Sequence, residues 1–249
     1  MRAALTPYSF YPHHINISMS TKHIKDVLFV VQARVNSTRV PRKMIKSFAS
    51  TSLIDVCLRK IKKSKIPQEQ FILSANEIHL KRLAEHHGLN VFDRSVKSAN
   101  EEKDLQSLYE WYDQFPQYKY VVLINACNLF LTVETINNFI DTYLNSPNDG
   151  LFAVTNKKNY FWNSNGDLIT PWPEGYELMN TKAVTPTYEG AHCLYASRLD
   201  LIGQGSFMGK APFKKDNPEI FVIDEFESLD IDYEWQFDLY TSYWKKLNG

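Results

Sequence analysis

The chain has 249 residues, of which 28 are basic and 28 acidic, and its pI is near 7.0. The absence of a basic excess argues against a dedicated nucleic-acid-binding protein. The longest apolar runs, such as 27–31, are far shorter than the roughly 20 residues that span a bilayer, so we expect no membrane insertion. Hydrophobic residues make up 44% of the chain, enough to build a core and to exclude disorder over most of its length.

Residues 1–24 are predicted to be a poorly ordered extension, and 25–249 to form one folded domain. The extension is rich in proline, tyrosine and histidine, and it lacks the basic start and apolar stretch of a signal peptide. The three cysteines, Cys57, Cys127 and Cys193, are far apart in the chain. Such an odd, sparse set predicts reduced thiols in a cytoplasmic protein and not a disulfide framework.

From Lys25 onward, short apolar runs alternate with segments of helical spacing. Alternation of this kind predicts βαβ units and a Rossmann-like, doubly wound, mainly parallel sheet of the α/β class. In chain order we expect strands at 27–31, 71–73, 89–92, 120–126, 150–155 and 219–223, and helices at 52–64, 77–87, 104–115, 132–144 and 233–247.

Residues 157–190, called the aromatic segment below, break this rhythm. They are rich in tryptophan, tyrosine, proline and asparagine and show little helical periodicity. A stretch of this kind on an α/β core is a candidate for a substrate-binding lobe or a dimerisation arm. A plain irregular connection is the alternative.

The loop after the first strand, residues 32–43, carries four cations, at Arg34, Arg39, Arg42 and Lys43, together with two hydroxyl groups. In open α/β sheets ligands bind at the carboxyl ends of the strands, where this loop begins. Its side chains are suited to hold a triphosphate and to offset the charge of a leaving pyrophosphate. The glycine patterns of the P-loop and of dinucleotide-binding turns are absent. By composition alone, a solvated basic loop is the simpler interpretation.

Five motifs in order extend this evidence. The first loop has the pattern A-R-x-x-S-T-R-x-P-x-K, and E-S-L-D-I-D stands near the C-terminus. Together they resemble the sugar cytidylyltransferases, which include the CMP-N-acetylneuraminate synthetases, the CMP-Kdo synthetases and the SpsF-like proteins. The resemblance covers roughly 26–246, and its motifs lie at 33–43, 73–88, 121–130, 189–195 and 227–232.

The resemblance implies a fold of the nucleotide-diphospho-sugar transferase type and transfer of CMP from CTP to an acidic sugar, such as a nonulosonate. It implies Mg²⁺ as cofactor and a homodimer that uses the aromatic segment. The two aspartates of the D-I-D box would share one face of an extended strand, where hard carboxylates suit Mg²⁺. The implied roles are catalysis for Arg34 and Lys43; nucleotide binding for Ala33, Arg34, Ser37, Arg39, Lys43, Asn76 and Arg94; substrate binding for Asn125 and Glu189; and metal binding for Asp230 and Asp232.

The chain departs from the family pattern at two places. In the first loop, residues 35–38 replace the G-G-S-K of the sialic acid synthetases, and Met44 replaces an asparagine. After the central strand, Cys127 and Leu129 stand where the family has an acid and a proline. Two alternatives therefore stay open: a catalytically altered relative that binds a nucleotide or a partner without turnover, and another nucleotide-sugar enzyme, such as a glycosyltransferase. The acceptor sugar is not specified by the sequence.

Overall fold

The computed structural model describes residues 22–209 and 218–248. Most of the predicted extension, 1–21, lies outside these residues. Lys22 is buried, and its backbone N–H donates a hydrogen bond to the Leu144 carbonyl at 3.2 Å. Packing against the domain therefore already includes residues before the predicted boundary at 25. No described helix has the length and apolar character needed to cross a membrane.

A seven-stranded sheet runs through the described part of the molecule in the order β3-β2-β1-β4-β6-β5-β7. Strand β6 is antiparallel to both of its neighbours, and the other pairs are parallel. The predicted mainly parallel, doubly wound sheet is confirmed. The strands are β1 (Val27–Gln32), β2 (Phe71–Ala75), β3 (Val91–Asp93), β4 (Tyr120–Ile124), β5 (Leu151–Lys157), β6 (Thr187–Arg198) and β7 (Glu219–Ile223).

Helices cover both faces of the sheet. Because alternate residues of a strand point to opposite faces, Phe29 of β1 joins the larger core, whereas Val30 joins the smaller one. Helices α1, α2, α5 and α7 pack on the larger core, and α6 packs on the smaller one. The described helices are α1 (Leu53–Lys63), α2 (Ile78–His86), α3 (Val96–Asn100), α4 (Leu105–Leu108), α5 (Val133–Asn145), α6 (Leu199–Gly203) and α7 (Glu234–Asn248).

The predicted helix at 104–115 is wrong, because only one turn, α4, forms there. After it the chain continues in turns, and Trp111 is completely buried while Tyr109 and Tyr112 pack against the same smaller core. A continuous helix would point residues 109 and 111 in nearly opposite directions. Burial of several aromatic side chains in one core therefore overrides the helical pattern.

The aromatic segment contributes its two ends to a long β5–β6 hairpin, where Lys157 pairs with Thr187. Between these strands the chain is mostly irregular, with one short bridge between Trp162 and Leu168. Tyr160, at the start of this irregular stretch, is buried. The exposed apolar side chains of this segment are Phe161, Trp162, Leu168, Ile169, Trp172, Tyr176, Leu178, Met179 and Tyr188.

Candidate active site

The candidate site lies where β1, β2 and β4 end. These strands are parallel neighbours, so the segments that follow them meet at one edge of the sheet. The loop 33–43 follows β1, Asn76 follows β2 and Asn125 follows β4. This edge therefore collects residues from three of the predicted motifs.

Four charged residues form a cluster, called the charged cluster below: Arg39, Lys43, Asp230 and Asp232. They come from two of the predicted motifs, the first loop and the D-I-D box. Lys43 is buried, and its Nζ donates a hydrogen bond to the Ile231 carbonyl at 2.6 Å. The same Nζ lies 3.8 Å from an oxygen of each aspartate. The fold thus joins the P-x-K end of the first loop to the D-I-D box.

The two aspartates lie in a segment without regular secondary structure, not in the strand that the sequence analysis assumed. Both nevertheless approach Lys43. Asp230 Oδ1 accepts a hydrogen bond from the Ile231 N–H at 2.6 Å. The guanidinium of Arg39 lies 2.8 Å from Asp232 Oδ1, yet this buried oxygen accepts no hydrogen bond of good geometry.

Asp230 and Asp232 are suited to a Mg²⁺ ion that is also held by phosphates. Mg²⁺ commonly uses one or two protein carboxylates and completes its shell with water and phosphate oxygens. Asp232 Oδ1 is a ligand of the right chemistry, and a bound ion would compete for it with Arg39, which lies 2.8 Å away. In the described part of the chain, no group of three or more His, Cys, Asp or Glu residues could hold a metal by itself. The residues therefore fit a substrate-bound ion, not a protein-enclosed one.

Cys127 is a buried thiol beside the charged cluster. Burial, and then the negative charge of Asp230, raise the pKa of Cys127 to about 12, while contact with Lys43 acts in the opposite direction. The thiol is therefore neutral at pH 7. It supplies no anionic ligand at the position where the family has an acid.

A cleft of about 320 Å³, called the aromatic cleft below, opens beside the charged cluster. Asn125 connects the two regions, because it lines the cleft and accepts a hydrogen bond from the N–H of Cys127, whose thiol contacts Lys43. The cleft is lined by Gln32, Arg34, Arg94, Glu101, Leu108, Tyr109, Leu123, Ile124, Asn125, Tyr195 and Phe207.

Arg34 and Arg94 stand together in this cleft. Arg34 donates to the Ala99 carbonyl at 3.1 Å and is about one-third exposed, at 35%. Arg94 is buried and donates to the side chain and carbonyl of Ser98 at 2.9 and 2.7 Å. Burial, together with the positive charge of Arg34, lowers the pKa of Arg94 to about 10, which still leaves it charged at pH 7. Asn76 donates to the Arg94 carbonyl at 2.8 Å and so fixes this part of the cleft.

Asn125 lines the cleft, and its amide group also shapes the chain around it. Its Oδ1 accepts from the Cys127 N–H, and its Nδ2 donates to the His192 carbonyl, both at 2.9 Å. The side chain therefore ties the end of β4 to β6.

Outside the charged cluster, four predicted contacts do not line the cleft: Ala33, Ser37, Asn76 and Glu189. Ala33 is buried, and the Ser37 hydroxyl accepts a hydrogen bond from the Val40 N–H at 3.3 Å within the first loop. Glu189 is exposed on β6 and lies 3.3 Å from the Lys157 ammonium. The structure thus brings together Arg34, Arg94 and Asn125 in the cleft, and separates Glu189 from them.

Gln32 and its aromatic neighbours were missed by the sequence analysis. The Gln32 Oε1 accepts from the Trp111 indole at 2.8 Å, and its Nε2 donates to the Leu108 carbonyl at 3.3 Å. These bonds position the turn that carries Tyr109 against the cleft. A polar residue at the last position of an otherwise apolar strand was the available signal.

Glu77 was missed as well. Its Oε1 accepts a hydrogen bond from the Val35 N–H at 2.7 Å, whereas its Oε2 is buried without a partner. The carboxylate therefore holds the first loop by its backbone. An acid directly after β2, at the edge of the sheet where ligands bind, was the signal.

Comparison with known proteins agrees with this architecture. Residues 28–236, most of the chain, match the family model described as cytidylyltransferase. The spore coat polysaccharide biosynthesis protein SpsF of Bacillus subtilis is 23% identical over 134 residues, which cover 53% of this chain and 55% of that protein. The match thus spans about half the length of this curated relative.

Solved structures show the same fold. CMP:2-keto-3-deoxy-manno-octonic acid synthetase complexed with CTP has a TM-score of 0.64 at 12% identity, over 89% of this chain and 99% of that one. A 4-diphosphocytidyl-2C-methyl-D-erythritol synthase from Anaerococcus prevotii has a TM-score of 0.64 at 15% identity, over 89% and 97%. A cytidylyltransferase from Leptospira borgpetersenii has a TM-score of 0.54 at 16% identity, over 87% and 85%. With the family model matching more than half of its length, the chain belongs to the cytidylyltransferase family.

Proposed function

We propose that the protein transfers CMP from CTP to a hydroxyl group of an acidic sugar, such as a nonulosonate. The oxygen of a sugar hydroxyl attacks the α-phosphorus of CTP and loses its proton to solvent, the bond from this phosphorus to the bridging oxygen breaks, and pyrophosphate leaves. The observation that carries the proposal is the placement of Lys43 within 3.8 Å of both Asp230 and Asp232, beside a cleft that contains two arginines.

Lys43 is the residue we propose to stabilise the reacting phosphates. Its hydrogen bond to the Ile231 carbonyl fixes the ammonium before substrate binds. A fixed cation stabilises the charge that develops as the P–O bond breaks, and it needs no reorganisation at that moment. Arg34 supplies a second cation at the arginine end of the cleft.

Asp230 and Asp232 are the residues that would hold Mg²⁺. When bound, the ion would neutralise phosphate charge and favour departure of pyrophosphate. Asp232 Oδ1, which accepts no hydrogen bond of good geometry, supports this role. Arg39, 2.8 Å from the same oxygen, balances the carboxylate charge and orients the D-I-D box against the first loop.

The cleft offers groups that suit both substrates, and parts of the bound substrates would extend beyond it because it is small. We place the nucleotide at the end that contains Arg34 and Arg94, and the sugar at the end that contains Asn125 and Tyr195. The volume, about 320 Å³, lies at the small end of the range for small-molecule sites. The aromatic wall supports binding of flat or ring-shaped groups, and the arginines favour anions.

Pyrophosphate release tests this proposal directly. CTP, UTP, GTP and ATP are each assayed with acidic and neutral sugars, with and without Mg²⁺. Release only with CTP and an acidic sugar is expected. Release only with UTP or GTP, or with neutral sugars alone, would contradict it.

A second candidate is a nucleotide-binding relative without turnover. The neutral thiol of Cys127 at the position of the family's acid favours it, because the cluster then has two carboxylates and not three. Calorimetric CTP binding without pyrophosphate release from any sugar of the panel would select this candidate.

We further propose a homodimer through the aromatic segment. Trp162 and Trp172 are 51% and 44% exposed, and exposed aromatic side chains are enriched in interface cores. The alternative is a monomer in which this segment only covers Tyr160.

Light scattering separates these two states. At sub-micromolar concentration, wild-type protein is expected to have about twice the chain mass of 29.0 kDa. Trp162→Glu is expected to dissociate this interface, since a charge buried without a partner costs several kcal/mol. A Lys62→Glu variant, with its change at an exposed site on α1, is the matched control. An unchanged mass in Trp162→Glu would contradict this interface.

A further inference from the structure

Helix α7 carries a row of exposed apolar side chains. Trp235, Leu239, Tyr243 and Leu247 follow each other at intervals of four residues and are between 45% and 59% exposed. Residues four apart are neighbours on one side of a helix, so these side chains form one continuous stripe. The opposite side of the helix is anchored in the core by Phe237. Apolar patches of this kind mark interaction surfaces.

The charged side chains beside the stripe are acidic near the start of α7 and basic near its end. Asp238 lies in the first half of α7, and Lys245 and Lys246 lie near its C-terminus. Asp238 and Lys245 are seven residues apart, two helical turns, and therefore flank the stripe on the same side. Within residues 22–209 and 218–248, none of these three forms an ion pair.

From this pattern we propose that α7 is a second self-association surface, on which α7 of another copy of the chain packs antiparallel. A parallel pair would place like charges together. An antiparallel pair places Asp238 of each copy against Lys245 and Lys246 of the other, at both ends of the contact. The arrangement is a closed two-fold interface, in which the same patch serves both copies.

The geometry of helix packing agrees with this pairing. Rows of side chains spaced four apart interdigitate when two helices cross at about −50°. The centre of the contact then lies at Leu239 and Tyr243, and Trp235 comes next to Lys246 of the other copy. A lysine over an indole ring adds a cation–π attraction.

The location connects this surface to the charged cluster. Helix α7 begins two residues after Asp232, and Glu234 in its first turn pairs with Lys46 of the segment after the first loop.

The stripe on α7 shares no residue with the aromatic segment. The proposal therefore does not depend on the enzymatic function or on the dimer proposed above.

The size of the contact sets its expected strength. Two helices of this length bury less than the roughly 1,200 Å² of a typical stable interface, so we expect a dissociation constant in the micromolar range. The association should then depend on protein concentration between about 1 and 200 µM.

Sedimentation equilibrium tests the surface in the full chain carrying Trp162→Glu, which removes the contribution of the aromatic segment. The mass is expected to rise with concentration from 29.0 kDa toward twice that value. Adding Leu239→Glu should hold it at the monomer value, whereas Val96→Glu, at a side chain on α3 that is also exposed, should not. Circular dichroism checks that both variants are folded.

Charge reversal tests the orientation. Asp238→Lys alone should weaken association at least tenfold, and adding Lys245→Glu and Lys246→Glu in the same chain should restore it. A monomer at all concentrations, or association unaffected by Leu239→Glu, would overturn the proposal. Failure of the triple reversal to restore association would overturn the antiparallel pairing. Association that appears only after removal of residues 1–21 would show instead that the chain's own N-terminal segment covers this face.

Discussion

The charged cluster and the aromatic cleft adjoin each other but are built in different ways. The cluster comes from two short stretches, 39–43 and 230–232, whose charges hold one another through Lys43. The cleft takes residues from many parts of the chain, and three of its eleven lining residues are aromatic. Under the proposed function, we expect chemistry to depend on a few fixed charges and substrate recognition to depend on how the elements pack. Substitutions in the cluster should therefore change the rate, and those in the cleft should change affinity.

The strongest test of this division is Asp232→Asn. The amide keeps the shape of the side chain but removes the charge that a hard cation needs, so kcat should fall at least about 10³-fold. Pyrophosphate release across a Mg²⁺ titration measures the effect. Asp141→Asn, at an exposed site on α5, should keep wild-type kinetics. Normal turnover in Asp232→Asn, or full wild-type activity in excess EDTA, would remove the aspartate from the mechanism.

Lys43→Ala is next in size and affects both rate and stability. Loss of one charge-stabilising donor lowers kcat by about 10²–10³-fold. From the sequence Lys43 was expected to be an exposed loop cation with little effect on stability, but it is buried and hydrogen-bonded to the Ile231 carbonyl. Its removal leaves two adjacent carboxylates, so the free energy of unfolding should fall by about 1–3 kcal/mol.

Steady-state kinetics and chemical denaturation measure these two effects of Lys43→Ala. Lys62→Ala, a change at an exposed lysine, serves as control for both. Unchanged kcat and unchanged stability together would mean that the cluster is only a surface ion pair.

In the cleft, Tyr109→Ala should act on affinity. The Tyr109 and Phe207 rings lie 5.1 Å apart and together form part of the aromatic wall. Stacking on an aromatic side chain contributes about 1–3 kcal/mol per base, so KM for CTP should rise about tenfold or more while kcat changes little. Tyr109→Phe keeps the ring and should stay near wild type. A fall in kcat with KM unchanged would place Tyr109 with the chemistry and break the division.

The smallest expected effect is on the pH dependence of stability and concerns Lys60. This lysine donates hydrogen bonds to the Leu129 and Asn128 carbonyls at 2.6 and 3.3 Å and so holds the loop after β4. Burial lowers its pKa to about 8 from the ordinary value of 10.5. Between pH 8 and 10.5 the unfolded chain binds more protons than the folded one, so this group makes the free energy of unfolding rise with pH. Denaturation of wild type and Lys60→Met across this range should show a steeper rise in wild type. Parallel profiles would contradict the lowered pKa.

The local sequence pattern predicted those site residues that lie close together in the chain. The cations of 33–43 and the acids of 230–232 follow predicted strands or stand next to each other in sequence, so their grouping could be inferred from spacing. The contact of these acids with Lys43 could not be predicted from spacing, because positions 43 and 230 are 187 residues apart in the chain. Glu77 and Gln32 had weak signals, and their hydrogen bonds to Val35 and Trp111 exist only in the folded chain.

The sequence by itself determined the α/β class and most of the elements, because buried strands and amphipathic helices have distinct hydrophobic periods. It also determined the two motifs that supply the charged cluster. The tertiary structure decided where β6 enters the sheet in the opposite direction, why the predicted helix at 104–115 stops after one turn, and which side chains line the cleft. The physical reason is that these features depend on which distant surfaces are buried together. Burial free energy is summed over the whole fold and outweighs the small propensity of any single segment.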